Sequence, residues 1–315
     1  MDWADLPPIT GPGFDLDIMW RSGLALLNGQ NPYALPGAAY PPAMLLLFAV
    51  LALLPWSVVL WTVTGLNVMA LVALKGRSAL VWLAFVPVLH VIVAGQVSLF
   101  FVLLIPLLWK GGWRAAVAVA LFTLKPQLAI VALPFFVVRW MLTADGRWTL
   151  AKAATISIGI LLLPLAVRPT LYSEYLAVSG AATAYKWAGA GIWNATALPT
   201  WLLAAVGAAL GLLALITNRY PVSRSALALG APMFSYYDTV FLMDCGPAWL
   251  LVPVSWAALG LSHAVGSYLP FAGIPLAAFV WTLAAGGFNG QVLRSARWLE
   301  GARRRDARAP VREVR

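Results

Sequence analysis

Long apolar stretches recur from Ala43 to Phe288, and only short polar groups separate them: KGR at 75–77, KGGWR at 110–114, NRYPVSR at 218–224. A hydrocarbon core of about 30 Å is crossed by about 20 helical residues. Just 10% of the chain is charged, against roughly 25% in soluble domains. Folded in water, such a chain would expose apolar patches large enough to aggregate. The alternating pattern of a β-barrel is absent. The expected class is therefore all-α: a polytopic transmembrane bundle of about ten to twelve helices, some of them short or broken.

The apolar segments fall near 42–54, 57–74, 79–94, 97–109, 115–138, 152–167, 199–216, 225–236, 239–252, 254–266 and 270–288. Lys125-Pro126 divides 115–138 into two short helices. Pro55, Pro126 and Pro232 break helices, and such breaks persist in a membrane where backbone is buried in protein or lines a wet cavity. Three regions follow. Residues 1–41 form a polar loop. Residues 42–290 form the helical domain, with a long aromatic-rich loop at 168–196. Residues 291–315 form a basic tail, with eight arginines after Gln291 against Glu300, Asp306 and Glu313.

Such a tail beside a membrane helix marks the cytoplasmic face and anionic lipid rather than nucleic acid. The same rule favours the inside for 75–77, 110–114, 139–152 and 218–224, and the outside for 168–196 and for 1–41. One conflict remains. If 42–54 and 57–74 both cross, an outer amino terminus carries Lys75 and Arg77 outside too. Either one segment fails to cross or this cluster breaks the rule. The amino terminus lacks a basic region and an apolar core, so it is no cleavable signal. The single cysteine, Cys245, forms no internal disulfide.

Acids are scarce, and between Asp17 and Glu300 only Asp145, Glu174, Asp238 and Asp244 occur. Asp145 sits in a plain polar TADGR loop. Asp238 follows APMFSYY in an apolar stretch, where a carboxylate is costly and suits a cavity. Lys125 is the clearest buried cation. His90 and Gln96, in LHVIVAGQVSL, mark a helix–helix corner, with the lone histidine read as structural. Two histidines give no basis for a metal site. Asp15 and Asp17 precede the first apolar run, in GFDLDIMW. A carboxylate can take a proton from a hydroxyl, and cations can stabilise a phosphate leaving group. A lipid-linked phosphosugar would use both.

The order FDLDIMWRSGLALLNGQNPY, then YPPAMLLLFAVLALLPW, resembles the opening of glycosyltransferase family 87, polytopic enzymes of the GT-C superfamily. Later matches are Gly95-Gln96, Lys125-Pro126-Gln127, Ala231-Pro232 and Tyr237-Asp238. The resemblance covers about 15–250, and its strength lies in the order of individually weak motifs. It implies transfer of a hexose, often mannose, from a polyprenyl-phosphate donor to a lipid or glycan acceptor on the outer face of the cytoplasmic membrane. It implies Asp15 as the base, by spacing to Pro32-Tyr33, with Asp17 as second choice or as an acceptor or metal contact. Lys125 and Arg21 would face the donor phosphate, and Tyr33, Tyr40, Gln96, Gln127, Tyr237 and Asp238 would line the cavity. No cofactor is required, although the two aspartates leave a divalent metal ion open. Residues 13–29 would form an amphipathic helix in the membrane interface. Family members usually carry a transmembrane helix ahead of this loop, whereas here Met1 lies fourteen residues before Asp15, a departure that a truncated or mis-started form would explain. A transporter or flippase, and a non-catalytic relative, are the competing expectations.

Overall fold

A computed structural model describes residues 11–285, apart from 36, 39, 183–189, 196–197 and 232–233. The basic tail, Asp2, Asp5, Pro232 and Thr196 lie outside the described residues. The regular structure among those described is helical throughout: α1 (Phe14–Leu27), α2 (Pro42–Leu51), α3 (Trp56–Lys75), α4 (Ala79–Leu83), α5 (Val86–Ala94), α6 (Ser98–Val102), α7 (Ile105–Lys110), α8 (Gly112–Phe122), α9 (Pro126–Ala132), α10 (Pro134–Met141), α11 (Ala144–Val167), α12 (Leu171–Ala182), α13 (Thr200–Ile216), α14 (Tyr220–Gly230), α15 (Ala248–Val265) and α16 (Gly273–Ala284).

Three spans have the length and composition to cross a membrane: Trp56–Leu83, Ala144–Val167 and Ala248–Val265. A bent pair, Val86–Ala94 with Ser98–Lys110, makes a fourth if it counts as one span. Their outer faces are apolar and exposed, for example Trp61 and Met69 on α3, Ile158 and Leu162 on α11, and Trp256 and Leu261 on α15. Water would not tolerate that surface. The other apolar segments are short, so about ten to twelve crossing helices exceed what the described residues form.

Boundaries also differ from expectation. The helix expected at 225–236 runs over Tyr220–Gly230, and a 3-10 turn follows at Tyr236–Leu242. The two segments 239–252 and 254–266 do not form separate helices: Ala248–Val265 is one helix, α15, which contains Pro253. α11 starts earlier than expected: Thr143 accepts a bond from Gly146 N, which caps the helix and draws Asp145 into its first turn.

α2 has ten residues, about 15 Å at 1.5 Å per residue. It is too short to cross and pairs instead with α1 as an antiparallel hairpin. Gly23 makes that approach possible: a Cβ there would meet the Phe48 carbonyl oxygen at 2.3 Å. Of the two segments in conflict, therefore, 42–54 fails the length test and 57–74 passes it.

The central feature is a set of three chain reversals. Residues 86–110 bend by 120° at the break after Ala94. Residues 112–136 also fold back, because Trp109, just before them, packs on Phe135 and Phe136 at 5.8 and 4.9 Å. Residues 220–245 do the same, since Arg224 Nη2 reaches Cys245 Sγ at 3.3 Å. The starts and ends of these hairpins meet: Trp109 also touches Tyr220 at 5.6 Å, Arg139 bonds Asn218 Oδ1 at 3.0 Å, and Lys75 pairs with Asp244. Gly112 N donates to Thr149 Oγ1 at 3.1 Å. The basic groups at 75–77, 110–114, 139–152 and 218–224 thus gather at one end of the described residues. The three tips point away from that end.

Candidate active site

Each tip breaks its helix for a local reason, and each break presents a polar side chain. Gly95, at φ +75°, ends α5 in the left-handed region. A Cβ there would lie 2.6 Å from Leu16 Cβ, so α1 seats directly on this break. Lys125 adopts φ −136°, ψ 77°, the extended backbone that a following proline imposes. Asp238 lies in the 3-10 turn after Gly230.

The tips converge on one polar cluster. Lys125 Nζ lies 2.9 Å from Asp238 Oδ1 and 2.6 Å from Ser98 Oγ. Ser98 Oγ donates to Asp238 Oδ1 at 2.7 Å. Lys125 and Asp238 are 1% and 0% exposed, so this is a closed ion pair in a low-dielectric setting. Gln96 joins it to the surface. Its Oε1 faces Lys125 Nζ at 3.5 Å, and its Nε2 donates to Asp15 Oδ2 at 2.7 Å. Tyr40 hydroxyl flanks the same amide at 3.3–3.4 Å. Asn67 Nδ2, on α3, donates to Gln96 O at 2.9 Å. Burial, then Tyr237 and Asp15, pushes the Tyr40 phenol well above its usual range, so it stays a neutral hydrogen-bonding group.

Asp15 is the exposed end of this chain of contacts, with 21% of its side chain accessible. α1 holds it in place. Gly13, at φ +85°, donates its N–H to Val93 O at 2.6 Å and so ties the start of α1 to the end of α5. His90 Nε2 stands 3.9 Å from Asp15 Oδ2. His90 also lines a cleft of about 570 Å³ between α5 and α15, whose walls include Leu89, Val93, Leu259 and Phe271. That volume suits a small-molecule or lipid-chain site.

The remaining expected residues fall into place unevenly. Tyr237 stacks on His90 at 5.4 Å with rings 6° apart, and Lys125 Nζ lies 5.2 Å from its centroid. Tyr33 is one step out: it is buried and bonds Tyr40 O at 2.9 Å. Gln127 is half-buried on α9 and makes no hydrogen bond to the cluster. Asp17 does not join Asp15. Residues two apart on a helix lie about 200° apart, and Asp17 pairs with Arg21 at 2.8 Å, both of them buried. The two aspartates therefore cannot share a metal ion, and among the described residues no three His, Cys, Asp or Glu side chains gather in a metal-binding group. Arg21 and Lys125, expected against a donor phosphate, each already face a carboxylate and little solvent.

Both α1 and the long loop also make internal contacts. Eight of the fourteen α1 residues are buried. Within 168–196, Leu171–Ala182 is helical with Ser173 and Leu176 exposed, and Ala190 N bonds Phe234 O at 2.6 Å beside the third tip.

Sequence reasoning passed over Ser98 and Asn67 and read His90, at its helix–helix corner, as structural. Asn67 carried a legible signal, an amide in the middle of an otherwise apolar span. His90 carried none, because only the fold brings Asp15 to it.

No family model matches the chain, and no curated protein or solved structure matches it.

Proposed function

We propose that this chain is a membrane glycosyltransferase of the GT-C type. It moves a hexose, with mannose the first choice, from a polyprenyl-phosphate donor to a lipid or glycan acceptor. The observation that carries the reading is Asp15: a carboxylate with one oxygen bonded to Gln96 and a partly exposed face beside an apolar cleft. A general base needs that combination of anchorage and access. Asp15 takes the proton of the acceptor hydroxyl, and the hydroxyl oxygen bonds to the anomeric carbon. The bond from that carbon to phosphate oxygen breaks, with its electron pair leaving on the phosphate. Attack opposite the phosphate inverts the anomeric centre. The buried Lys125–Asp238 pair acts at a distance, by orienting Gln96. The gathering of the basic groups at the far end supports a multi-pass protein of the cytoplasmic membrane with Asp15 on the non-cytoplasmic side. No nucleic acid and no cofactor enters this reading.

The test is a panel of radiolabelled polyprenyl-phosphate sugars with purified protein. Wild type transfers from one of them, and Asp15→Asn lowers turnover about 10²–10⁴-fold. Near-wild-type turnover by Asp15→Asn removes Asp15 as base, and no transfer by wild type from any donor removes the enzyme.

The three reversals favour a second reading. Discontinuous helices whose ends meet at a buried charged pair are also how transporters build midplane sites. Uptake or lipid scrambling by reconstituted protein that transfers no sugar would establish it. The partly exposed Asp15, anchored by Gln96, favours the transferase.

A further inference from the structure

His90 is confined on three sides. Tyr237 stacks flat on it at 5.4 Å, Tyr236 meets it at 4.9 Å, and Phe14 closes edge-on at 5.6 Å. The remaining side opens on the cleft. Tyr236 hydroxyl lies 2.6 Å from Nδ1 and 3.3 Å from Nε2, and Nε2 stands 3.9 Å from Asp15 Oδ2, beyond hydrogen-bond distance.

The shorter Tyr236 contact is to Nδ1. An ionised carboxylate only accepts, so a hydrogen bond across the 3.9 Å gap to Asp15 requires hydrogen on Nε2. In a neutral imidazole the other nitrogen is then an acceptor, and Tyr236 must donate to it. Burial, then Tyr268 and Asp15, pushes the Tyr236 phenol upward, which keeps that donor protonated. Gln96 already donates to Oδ2, and a His90 Nε2–H becomes the second donor there once the 3.9 Å gap closes. Oδ1 is left to receive a proton.

We propose that His90 is a positioning residue for Asp15: Tyr236 sets its tautomer, and its Nε2–H fixes which carboxylate oxygen faces the substrate. Asp15 and Gln96 are the partners the preceding reading names. His90 adds the second donor, and its arrangement stands independently of which sugar moves. The contact at 3.9 Å closes to a hydrogen bond when substrate occupies Oδ1, as catalytic bonds commonly tighten in the complex.

The experiment has two arms. The chain has two histidines, so His263→Gln leaves His90 as the sole imidazole. Ring nitrogen-15 spectra of that protein, labelled at histidine and held in bilayers at a pH where the ring is neutral, report which nitrogen is protonated. The expected result is the Nε2–H tautomer, converted to a mixture by Tyr236→Phe. An Nδ1–H tautomer, or no response to Tyr236→Phe, overturns the proposal. The kinetic arm uses sugar transfer. His90→Phe lowers kcat about 10²-fold with the donor KM unchanged. His90→Gln, whose amide still offers an N–H, recovers about tenfold over His90→Phe. Equal losses in both variants make His90 a packing residue and overturn the proposal. If wild type transfers no sugar, the transferase reading fails, and the spectral arm alone decides the place of His90.

Discussion

Two carboxylates in this chain have opposite roles because of burial. Asp15 keeps an accessible face, whereas Asp238 has none and needs Lys125 beside it. Breaking a buried pair on one side leaves an uncompensated charge and costs about 3–5 kcal/mol, while replacing both partners with apolar residues of similar volume is often neutral or stabilising. Lys125→Met and Asp238→Leu should therefore each lower the thermal midpoint in detergent, and the double variant should return close to wild type. Sugar transfer should not return with it, because Gln96 has lost the neighbour that faces its Oε1. Recovery of both stability and transfer in the double variant would show that the pair only fills space.

At the scale of the element, the helix breaks are the active parts. A straight helix would pair all its own backbone groups and offer a site nothing. Gly95 shows how tightly a break is built. Its left-handed φ disfavours any side chain, and a Cβ would collide with Leu16. Gly95→Ala should cost about 1–3 kcal/mol from strain at this position and displace α1. Thermal unfolding reads the first effect, and transfer activity reads the second. An alanine variant with unchanged stability and activity would mean that α1 does not rest on this turn. The same scale explains why the sequence left α2 open as a crossing candidate. Apolar composition is shared by spans and by buried hairpins, and only length separates them.

For the whole molecule, the decisive contrast is between its two ends. Lys75, Arg139 and the 218–224 group lie at one end. Asp15 and the 28–30 turn, which Arg168 binds at Gly29 O and Gln30 O, lie at the other. α11 joins the two, and its 24 residues cover about 36 Å. Cysteines introduced at the exposed positions Asn28 and Arg114 should therefore label from opposite sides of the membrane, Asn28→Cys from outside and Arg114→Cys from the cytoplasm. Native Cys245 is buried and should stay silent. Labelling of both from one side would overturn the arrangement, and labelling of Asn28→Cys from the cytoplasm would place Asp15 away from any outer-face donor.

Composition alone settled that the chain is helical and suited to lipid, because neither water nor an open sheet edge accepts such a surface. Local chemistry also placed the breaks at Gly95 and Lys125-Pro126, since glycine and proline act on their own backbone. Asp15, Gln96, Lys125 and Asp238 were legible as isolated polar groups in apolar surroundings. Their contacts were not. Asp15 and Gln96 are 81 positions apart, and Lys125 and Asp238 are 113 apart. No local rule links residues at such distances. Only the folding back of three hairpins onto a common point could bring His90 to Asp15 and close Lys125 against a carboxylate. Those outcomes depend on how short helices pack together, a property that no single stretch of the chain contains.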